Sequence, residues 1–304
     1  MQIPVKPSWL GTPISEVEID VSLVTNLLQE QHPDLAYLPI RLVDAGWDNA
    51  MFRLGEKLSI RLPRRQVAAT LIENEQTWLP QLADHLPIPV PKPYRIGQPT
   101  ENYPWRWSIL PWLVGVAADQ QEPHSEQAKY FASFLRMLHT PAPSNAPQNP
   151  FRGVPLQQRA PMLLERMQRL ETKTNLITPE IKKNTWNQAL NAPIDVSATW
   201  LHGDLHPRNI LVENGAITGI IDWGDITKGD IATDLAAIWM LFSRASARKQ
   251  VIKEYGNISL ATLQRAKGWA ILFGVLLLDT GLIDNPRNAV MGERIFRRLL
   301  EDKE

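Results

Sequence analysis

The sequence predicts an α+β fold, with an antiparallel sheet in the first part of the chain and mainly helices in the second. Three short runs of alternating apolar and polar residues predict an antiparallel meander, and they lie at 39–43, 50–54 and 58–62. Later segments repeat their apolar residues at helical spacing, most clearly at 127–138. A break at Gly115 separates the two parts, so we expect two domains, 1–113 and 114–304.

The composition excludes several classes of function. The 304 residues include 32 basic and 32 acidic side chains, so net charge gives no reason to expect nucleic acid or an anionic membrane as a partner. The chain has no cysteine, which excludes disulfides, thiolate chemistry and cysteine-bound zinc. No basic start precedes an apolar run near the N-terminus, so we expect no signal peptide and a cytoplasmic protein. The most apolar stretch, 269–283, is short for a membrane span and contains Asp279, so we expect a buried helix.

A helix predicted over 66–83 carries a carboxylate, Glu75, on its apolar stripe. The apolar members of that stripe are Leu71, Trp78, Leu79 and Leu82. A carboxylate that faces a core needs a partner, because an unpaired buried charge costs several kcal/mol. Arg61, on the third strand, points to the face opposite that strand's apolar residues. We expect the two to pair, and taken alone such a pair is explained as a plain buried salt bridge.

The stretch 201–225, LHGDLHPRNILVENGAITGIIDWGD, predicts a hairpin with polar residues at its open end. Asn214-Gly215 joins two apolar runs, and this dipeptide is the strongest short signal for a hairpin turn. Pairing across the turn sets Val212 against Ile217 and Asn209 roughly against Ile220. Asp222 is then the diagonal neighbour of Asn209, with Cβ atoms about 7–8 Å apart.

Those polar residues predict phosphoryl-transfer chemistry. Asn209 and Asp222 present oxygens that can share a small hard cation such as Mg²⁺, while Asp204 is left to act on a substrate. The segment 202–209, HGDLHPRN, differs from the catalytic-loop signature of protein kinases only at Gly203, and DWG stands where that family has D-F-G. The alternative for the isolated pattern is ordinary turn and cap chemistry around a hairpin.

The first part of the chain supports the same chemistry. Arg61 and Glu75 have the positions of a third-strand cation and the helix carboxylate that pairs with it in kinases. The turn DAGWDN, 44–49, stands where a nucleotide-covering loop belongs, although Gly46 is its only glycine. By itself this segment is explained as an ordinary turn.

The sequence resembles the aminoglycoside phosphotransferase family. The matching pieces are GWDNAMFRLG, LSIRLPRR, ENEQTWLPQLADHLPIPVP, WSILPWLVG, LHGDLHPRNILV and GIIDWGDITKGDIATDLA, which follow the family's order from about 40 to 240. The resemblance implies a two-lobed protein-kinase-like fold, with a sheet-containing N-lobe, a helical C-lobe, and ATP or GTP bound in the cleft.

The resemblance also implies roles for individual residues. Asp204 would be the catalytic aspartate, and Asn209 and Asp222 would hold Mg²⁺. Arg61 would contact the nucleotide phosphates and Glu75 would orient it. The remaining nucleotide contacts would come from Gly46, Trp47, Asn49 and the backbone of Leu110, Pro111, Trp112 and Leu113. Support for the catalytic loop would come from Asp234 and His202.

Two departures from the kinase pattern and the short segment between Asp222 and Asp234 narrow the class of acceptor that we expect. Arg61 stands where many kinases have lysine, and Gly203 replaces the arginine that anchors a phosphorylated activation loop in protein kinases. Eleven residues separate Asp222 from Asp234, and no A-P-E follows. There is no room for a peptide-docking segment, so we expect a small hydroxylated acceptor.

The acceptor itself is the most open part of the prediction. An aminoglycoside-type acceptor is favoured, and it would need a carboxylate-rich pocket. The candidate acids are Asp225, Glu254, Asp279, Asp284 and Glu293. Scattered acids on helices usually belong to solvated faces, and that explanation is the alternative here. A macrolide, an amino alcohol, a sugar or another metabolite stays open as acceptor, and the rival hypothesis is a nucleotide-binding pseudokinase. The sequence leaves the choice of ATP or GTP and the oligomeric state open.

Overall fold

The computed structural model describes residues 14–46 and 48–302. Contacts between Cα atoms divide the chain into two compact units. The first consists of the described residues up to Asp84 together with Pro89–Leu113, while the second consists of His85–Ile88 and the described residues from Val114 onward.

The first unit is built on a five-stranded antiparallel sheet whose strands lie in the order β1-β2-β3-β5-β4. The strands are β1 (Ile40–Ala45), β2 (Asn49–Leu54), β3 (Leu58–Pro63), β4 (Arg95–Gly97) and β5 (Trp107–Pro111). Two helices accompany them, α1 (Val21–Gln31) and α2 (Gln66–Ala83). One core joins α1 to the sheet, and its members include Val24, Leu27, Leu28, Phe52, Leu54, Ile60 and Leu62.

The two helices of the first unit have distinct local causes. Helix α1 begins at Val21 because the side chain of Asp20 caps it by accepting from the Leu23 N–H (2.8 Å). Helix α2 has the predicted bounds. Its buried stripe is Ala68, Ala69, Ile72, Glu75, Gln76 and Leu79, whereas Leu71, Trp78 and Leu82 are only half-buried.

Gln76 accounts for the orientation of α2. Its amide donates to the Trp107 carbonyl (3.0 Å) and to Ser108 Oγ (2.9 Å), both on β5. The turn of the helix that carries Glu75 and Gln76 therefore faces the sheet. Buried polar groups fix the helix rotation here, because each must keep its hydrogen-bond partner.

The second unit is mainly helical and holds two small sheets. Its helices are α3 (Gln127–Leu138), α4 (Ala160–Glu171), α5 (Trp186–Asn191), α6 (Ala232–Leu235), α7 (Ala237–Leu241), α8 (Ala245–Tyr255), α9 (Leu260–Asp284) and α10 (Pro286–Glu301). Its strands are β6 (Val116–Ala117), β7 (Thr199–Leu201), β8 (Ile210–Glu213), β9 (Ala216–Ile220) and β10 (Thr227–Gly229). One sheet has the order β6-β8-β9, and in the other β7 pairs with β10.

Helix α9 forms the centre of the second unit and is longer than the predicted apolar segment. It begins at Leu260 because Ser259 Oγ caps it by accepting from the Thr262 N–H (2.9 Å). With 25 residues it is long and apolar enough to cross a membrane, yet 78% of its most apolar 18-residue window is buried inside the protein. It packs against α4, α5, α6 and α10, as expected of a core helix.

The predicted hairpin is present, and its turn has the expected geometry. Asn214 and Gly215 both have positive φ, 51° and 79°, and Val212 pairs with Ile217. Beyond that point the register shifts, because Thr218 is an extra residue in β9.

The shift corrects the predicted pairing of Asn209. The Asn209 carbonyl accepts from the Ile221 N–H (2.9 Å). The residue opposite Asn209 is therefore Ile221, one residue later than the predicted partner, Ile220. The Thr218 hydroxyl donates to the Val114 carbonyl (2.6 Å), a long-range contact that gives the extra residue a partner. Asp222 consequently follows directly after the residue that faces Asn209.

We expect Gly215→Ala to destabilise the protein more than Gly55→Ala does. Both glycines have positive φ, 79° and 56°, which costs an alanine about 1–2 kcal/mol. A Cβ at Gly55 would lie 3.3 Å from a Cδ atom of Leu38, at the end of a side chain that can move, whereas one at Gly215 would overlap the His124 ring. Overpacking adds roughly 1–3 kcal/mol. Urea unfolding of both variants measures the difference, and equal losses would contradict the close packing of His124 on the hairpin turn.

Candidate active site

A buried carboxylate on α6 holds the loop that contains Asp204. Asp234 has no exposed surface, and its two oxygens accept from consecutive backbone N–H groups, those of His202 (2.7 Å) and Gly203 (2.9 Å). Gly203 has φ of 85°, and a Cβ there would lie 2.6 Å from the Asp225 carbonyl oxygen. Only glycine fits this position, which accounts for the departure from the kinase signature at residue 203.

His202 connects this loop to the end of the hairpin. The Asp204 N–H donates to its Nδ1 (3.2 Å), so Nε2 carries the proton that goes to the Ile221 carbonyl (3.0 Å). Its ring also packs against Trp223, with centroids 4.7 Å apart. With both ring nitrogens engaged, His202 supports the loop and is not placed to act as a base.

Asp204 lies among positively polarised groups. Arg152 Nη2 donates to its Oδ1 (2.8 Å), and His206 Nε2 lies 3.4 Å from its Oδ2. Asn209 Nδ2 donates to the Asp204 carbonyl (2.8 Å). Burial alone would raise the pKa of Asp204, but the Arg152 guanidinium and His206 outweigh it and hold that pKa well below its usual range. Asp204 is therefore ionised at neutral pH.

Asn209 and Asp222 present the donor set expected for a hard cation. The Asn209 side chain is 5% exposed, and because its nitrogen is turned to Asp204, its oxygen faces away from that residue. Asp222 is exposed and has left-handed backbone angles (φ 63°, ψ 67°), so the chain leaves strand geometry two residues after the end of β9.

This donor set fits Mg²⁺. Among residues 14–46 and 48–302, no group of three or more His, Asp or Glu side chains forms a metal cage. Mg²⁺ is usually held by one or two carboxylates together with substrate phosphates, so an amide oxygen and one carboxylate are a suitable protein contribution.

Arg152 and Asp225 complete the surroundings of Asp204. Asp225 was a candidate acid for binding a cationic acceptor, whereas no sequence pattern marks Arg152. Arg152 belongs to the long irregular connection after α3, and its Nη2 lies 4.0 Å from Asp225 Oδ2. Asp225 Oδ1 accepts from Asn149 Nδ2 (2.5 Å). Burial raises the pKa of Asp225; Arg152 opposes this, while Asp204 and Asp222 add to it. The length of the irregular connection was the one signal in the sequence that could have drawn attention to Arg152.

In the first unit, Arg61 and Glu75 form the expected ion pair. Their side chains are 5% and 0% exposed. With its amide oriented so that the oxygen faces the guanidinium, Asn49 accepts from Arg61 Nη2 (2.9 Å) and Nε (3.1 Å). The structure thus brings Arg61, Glu75 and Asn49 together, and the guanidinium is fixed on two sides.

The turn at 44–49 is held by the arginines that follow β3. The Gly46 N–H donates to the Asn49 carbonyl (3.0 Å), and the Gly46 carbonyl accepts from the Arg64 guanidinium. Arg65 pairs with Asp48 (2.5 Å). Trp47, expected to contact the nucleotide, lies outside the described residues.

The four residues expected to meet the purine follow one another at the end of β5. Leu110 and Pro111 face Ser59 and Leu58 of β3. The Trp112 N–H donates to the Lys57 carbonyl (2.8 Å), and the Arg53 guanidinium lies over the Trp112 ring, 3.9 Å from its centroid. Leu113 is half-buried and closes the first unit.

The acids expected to receive a cationic acceptor have partners of their own. Asp279 is 1% exposed and accepts from Arg166 (3.0 Å) and Arg169 (2.7 Å) of α4. Glu293 pairs with Arg297 one turn further along α10, and Glu254 accepts from Gln250 (2.6 Å). Asp284 is the exposed last residue of α9.

Comparisons with known proteins identify a family. The model of the phosphotransferase enzyme family matches residues 39–269. A relative from Bacillus subtilis (strain 168), the uncharacterized protein YcbJ, is 25% identical over 181 residues. That match covers 57% of this chain and 56% of YcbJ, so the chain spans little more than half the length of this relative.

Solved structures of similar proteins share the fold. The GDP complex of wild-type aminoglycoside 2'-phosphotransferase-IIIa has a TM-score of 0.68 and 17% identity, over 93% of this chain and 100% of that one. The apoenzyme of macrolide 2'-phosphotransferase MphH from Brachybacterium faecium has a TM-score of 0.58 and 18% identity, over 94% and 99%. These matches confirm the predicted α+β, kinase-like fold class.

We expect Asp234→Asn to loosen the loop at His202 and Gly203. The amide nitrogen of the new side chain would face one of two backbone N–H groups, and a buried donor left without an acceptor costs about 1–3 kcal/mol. Urea unfolding and hydrogen exchange of the two amides measure the effect. Asp84→Asn, at an exposed residue paired with Lys92, is the control. Unchanged exchange at both amides would contradict this role of Asp234.

Proposed function

Because the chain belongs to the phosphotransferase enzyme family, we propose that it transfers the γ-phosphoryl group of ATP or GTP to a hydroxyl of a small molecule. One observation carries the proposal: ionised Asp204 lies beside Asn209, and Asp222 follows the residue that faces Asn209. This arrangement offers one carboxylate to an acceptor hydroxyl and two hard oxygens to a metal ion, as phosphoryl transfer requires.

In the proposed reaction, the acceptor oxygen forms a bond to the γ-phosphorus while the bond from that phosphorus to the bridging β–γ oxygen breaks. The acceptor proton passes to Asp204 and then to solvent, and the nucleoside diphosphate leaves. The lowered pKa of Asp204 makes it a weak base, so it acts first by orienting the hydroxyl. That suits a loose transition state, in which the acceptor loses its proton late.

Asn209 and Asp222 are the residues that would hold Mg²⁺, which when bound would supply Lewis-acid chemistry that offsets the negative charge of the phosphates. Asn209 also donates to the Asp204 carbonyl, so the proposed metal ligand and the proposed catalytic residue are held in one geometry. Asp234 and His202 keep that geometry by fixing the loop that precedes Asp204.

For the first unit, we propose that Arg61 binds the nucleotide phosphates. An arginine keeps its charge, and its planar guanidinium can donate several N–H groups to phosphate oxygens. Glu75 and Asn49 fix the orientation of the Arg61 guanidinium. Gly46, Trp47 and Asn49 would cover the nucleotide. The purine would meet the backbone of Leu110, Pro111, Trp112 and Leu113. The GDP bound to one similar structure supports a guanine nucleotide as co-substrate, so both ATP and GTP belong in every assay.

The similar structures suggest first acceptors to test. One is named for aminoglycosides and the other for macrolides, and amino alcohols and sugars extend the panel. A pseudokinase that binds nucleotide with Mg²⁺ and transfers nothing is the alternative. Because the proposed co-substrate is a nucleoside triphosphate, the same proposal has the protein act in the cytoplasm.

We expect Asp204→Asn to abolish transfer while nucleotide still binds. Loss of the carboxylate that orients the hydroxyl should lower kcat by a factor on the order of 10²–10⁴. The measurement is nucleoside diphosphate release with ATP and with GTP, over hydroxylated amines, macrolides, sugars and hydroxy acids. Asp34→Asn, at an exposed residue of the first unit, serves as the control. Wild-type turnover by Asp204→Asn would rule the mechanism out.

We expect Asp222→Asn to raise the Mg²⁺ concentration that gives half-maximal turnover, by roughly tenfold or more. An amide in place of the carboxylate removes the charge from the metal ligand. Asp225→Asn removes the same charge three residues later, from a side chain that bonds Asn149, and should change the Mg²⁺ requirement much less. Equal shifts in the two variants would show that local charge, and not ligation by Asp222, sets the metal dependence.

A further inference from the structure

Two arginines of the irregular connection after α3, Arg152 and Arg159, lie close enough to repel one another, and Arg152 also contacts Asp204. The Arg152 side chain is 15% exposed, and its guanidinium lies between Asp204 (2.8 Å) and Asp225 (4.0 Å). It also lies over the Phe273 ring of α9, 5.1 Å from the centroid.

Arg159, seven residues later, is a cation without a compensating acid. Its side chain is half-buried over the Phe151 ring, 4.9 Å from the centroid, and no carboxylate in the described part of the chain pairs with it. Burial lowers its pKa, and the like charges of Arg152 and Arg166 lower it further. A cation held among cations attracts an anion.

The acids that could turn this region negative are already engaged. Asp279 accepts from Arg166 and Arg169, and Asp225 accepts from Asn149 beside Arg152. A polycationic acceptor would have to displace these partners and approach two further guanidinium groups. An acceptor that brings its own anionic group would meet the half-buried Arg159 guanidinium, which no acid in the described part of the chain neutralises and which lies near Arg152.

We propose that the acceptor carries an anionic group, a carboxylate or a phosphate ester, which Arg152 and Arg159 bind while the acceptor hydroxyl lies at Asp204. The inference rests on the proposed phosphotransferase function and names the charge class of its acceptor. A guanidinium has five N–H donors in a fixed fork, so Arg152 can hold an anion and keep its contact with Asp204. One residue thereby links recognition of the anion to the position of the hydroxyl.

The experiment compares acceptors that differ in charge but share hydroxyl groups. Gluconate, glucose and glucosamine form one series, glycerol 3-phosphate and glycerol a second, and kanamycin is the polycationic reference. With Mg²⁺ and ATP or GTP, we expect kcat/KM to favour the anion-bearing member of each series by roughly 10–100-fold. The gluconate and glycerol 3-phosphate arms distinguish a carboxylate from a phosphate ester. Titration calorimetry with the same two anions measures binding independently of turnover.

Variants at the two arginines test which residues bind the anion. Arg159→Gln should raise KM for the anion-bearing acceptor and leave the neutral one unchanged, and Arg159→Glu should shift preference toward the amine-bearing acceptor. Arg152→Lys keeps the charge but loses the fork, so we expect a partial loss of preference. Arg297→Gln removes a guanidinium that is 67% exposed on α10 and serves as the matched control.

The outcomes separate the two proposals. The anion site is wrong if kanamycin or glucosamine is the better acceptor of the wild type, if neither anion binds, or if Arg159→Gln behaves like Arg297→Gln. In another outcome, the anions bind in a way that depends on Arg159, but no acceptor is phosphorylated in a way that depends on Asp204. That result supports the anion site and overturns the phosphotransferase function.

Discussion

The hydrogen bonds from two consecutive backbone N–H groups to the buried Asp234 carboxylate are the interaction on which the rest of the site depends. A carboxylate with no exposed surface is costly unless strong donors satisfy it, and His202 and Gly203 supply them. His139 Nε2 lies 3.4 Å from the same carboxylate and its Nδ1 is 2.9 Å from the Tyr255 hydroxyl. The loop that carries Asp204 is therefore fixed to the helical core of its unit.

The same constraint reaches the proposed metal ligands through one residue of the hairpin. The Ile221 carbonyl accepts from His202, and the Ile221 N–H donates to the Asn209 carbonyl. Asp222 follows directly after Ile221. Its backbone is in the left-handed conformation, which a residue other than glycine adopts only when its surroundings hold it there. Asp204, Asn209 and Asp222 are thus positioned by hydrogen bonds that meet at the backbone of Ile221.

The sequence predicted features whose cause is local. Asn214-Gly215 predicted its hairpin because positive φ at two residues is a property of the turn itself. Glu75 predicted its pairing with Arg61 because a carboxylate facing a core must find a cation. The shift in register could not be predicted in this way, since the extra residue, Thr218, bonds the carbonyl of Val114, which is distant in the chain.

The position of Arg152 beside Asp204 could not be predicted either, because that contact also joins residues that are distant in the chain. Arg152 meets Asp204 from a segment 52 residues earlier, and no periodicity or motif marks that segment. The acids of the second unit show the opposite error, in which a residue is given a role in the sequence analysis that its contacts in the fold do not leave open. Asp279 resembled a candidate for binding a cationic acceptor, but two arginines of α4 engage it. Charge patterns along a sequence do not reveal which charges are neutralised in the fold, and the acceptor class depends on that difference.

The central claim is that Asp204 and the proposed metal ligands support direct transfer from nucleotide to acceptor. The stereochemical course at phosphorus tests it most directly, using a nucleotide whose γ-phosphoryl group is made chiral by sulfur and oxygen isotopes. Direct in-line transfer predicts inversion of configuration at that phosphorus. Retention would contradict the account, because it would require a phosphorylated side chain as an intermediate and two successive displacements.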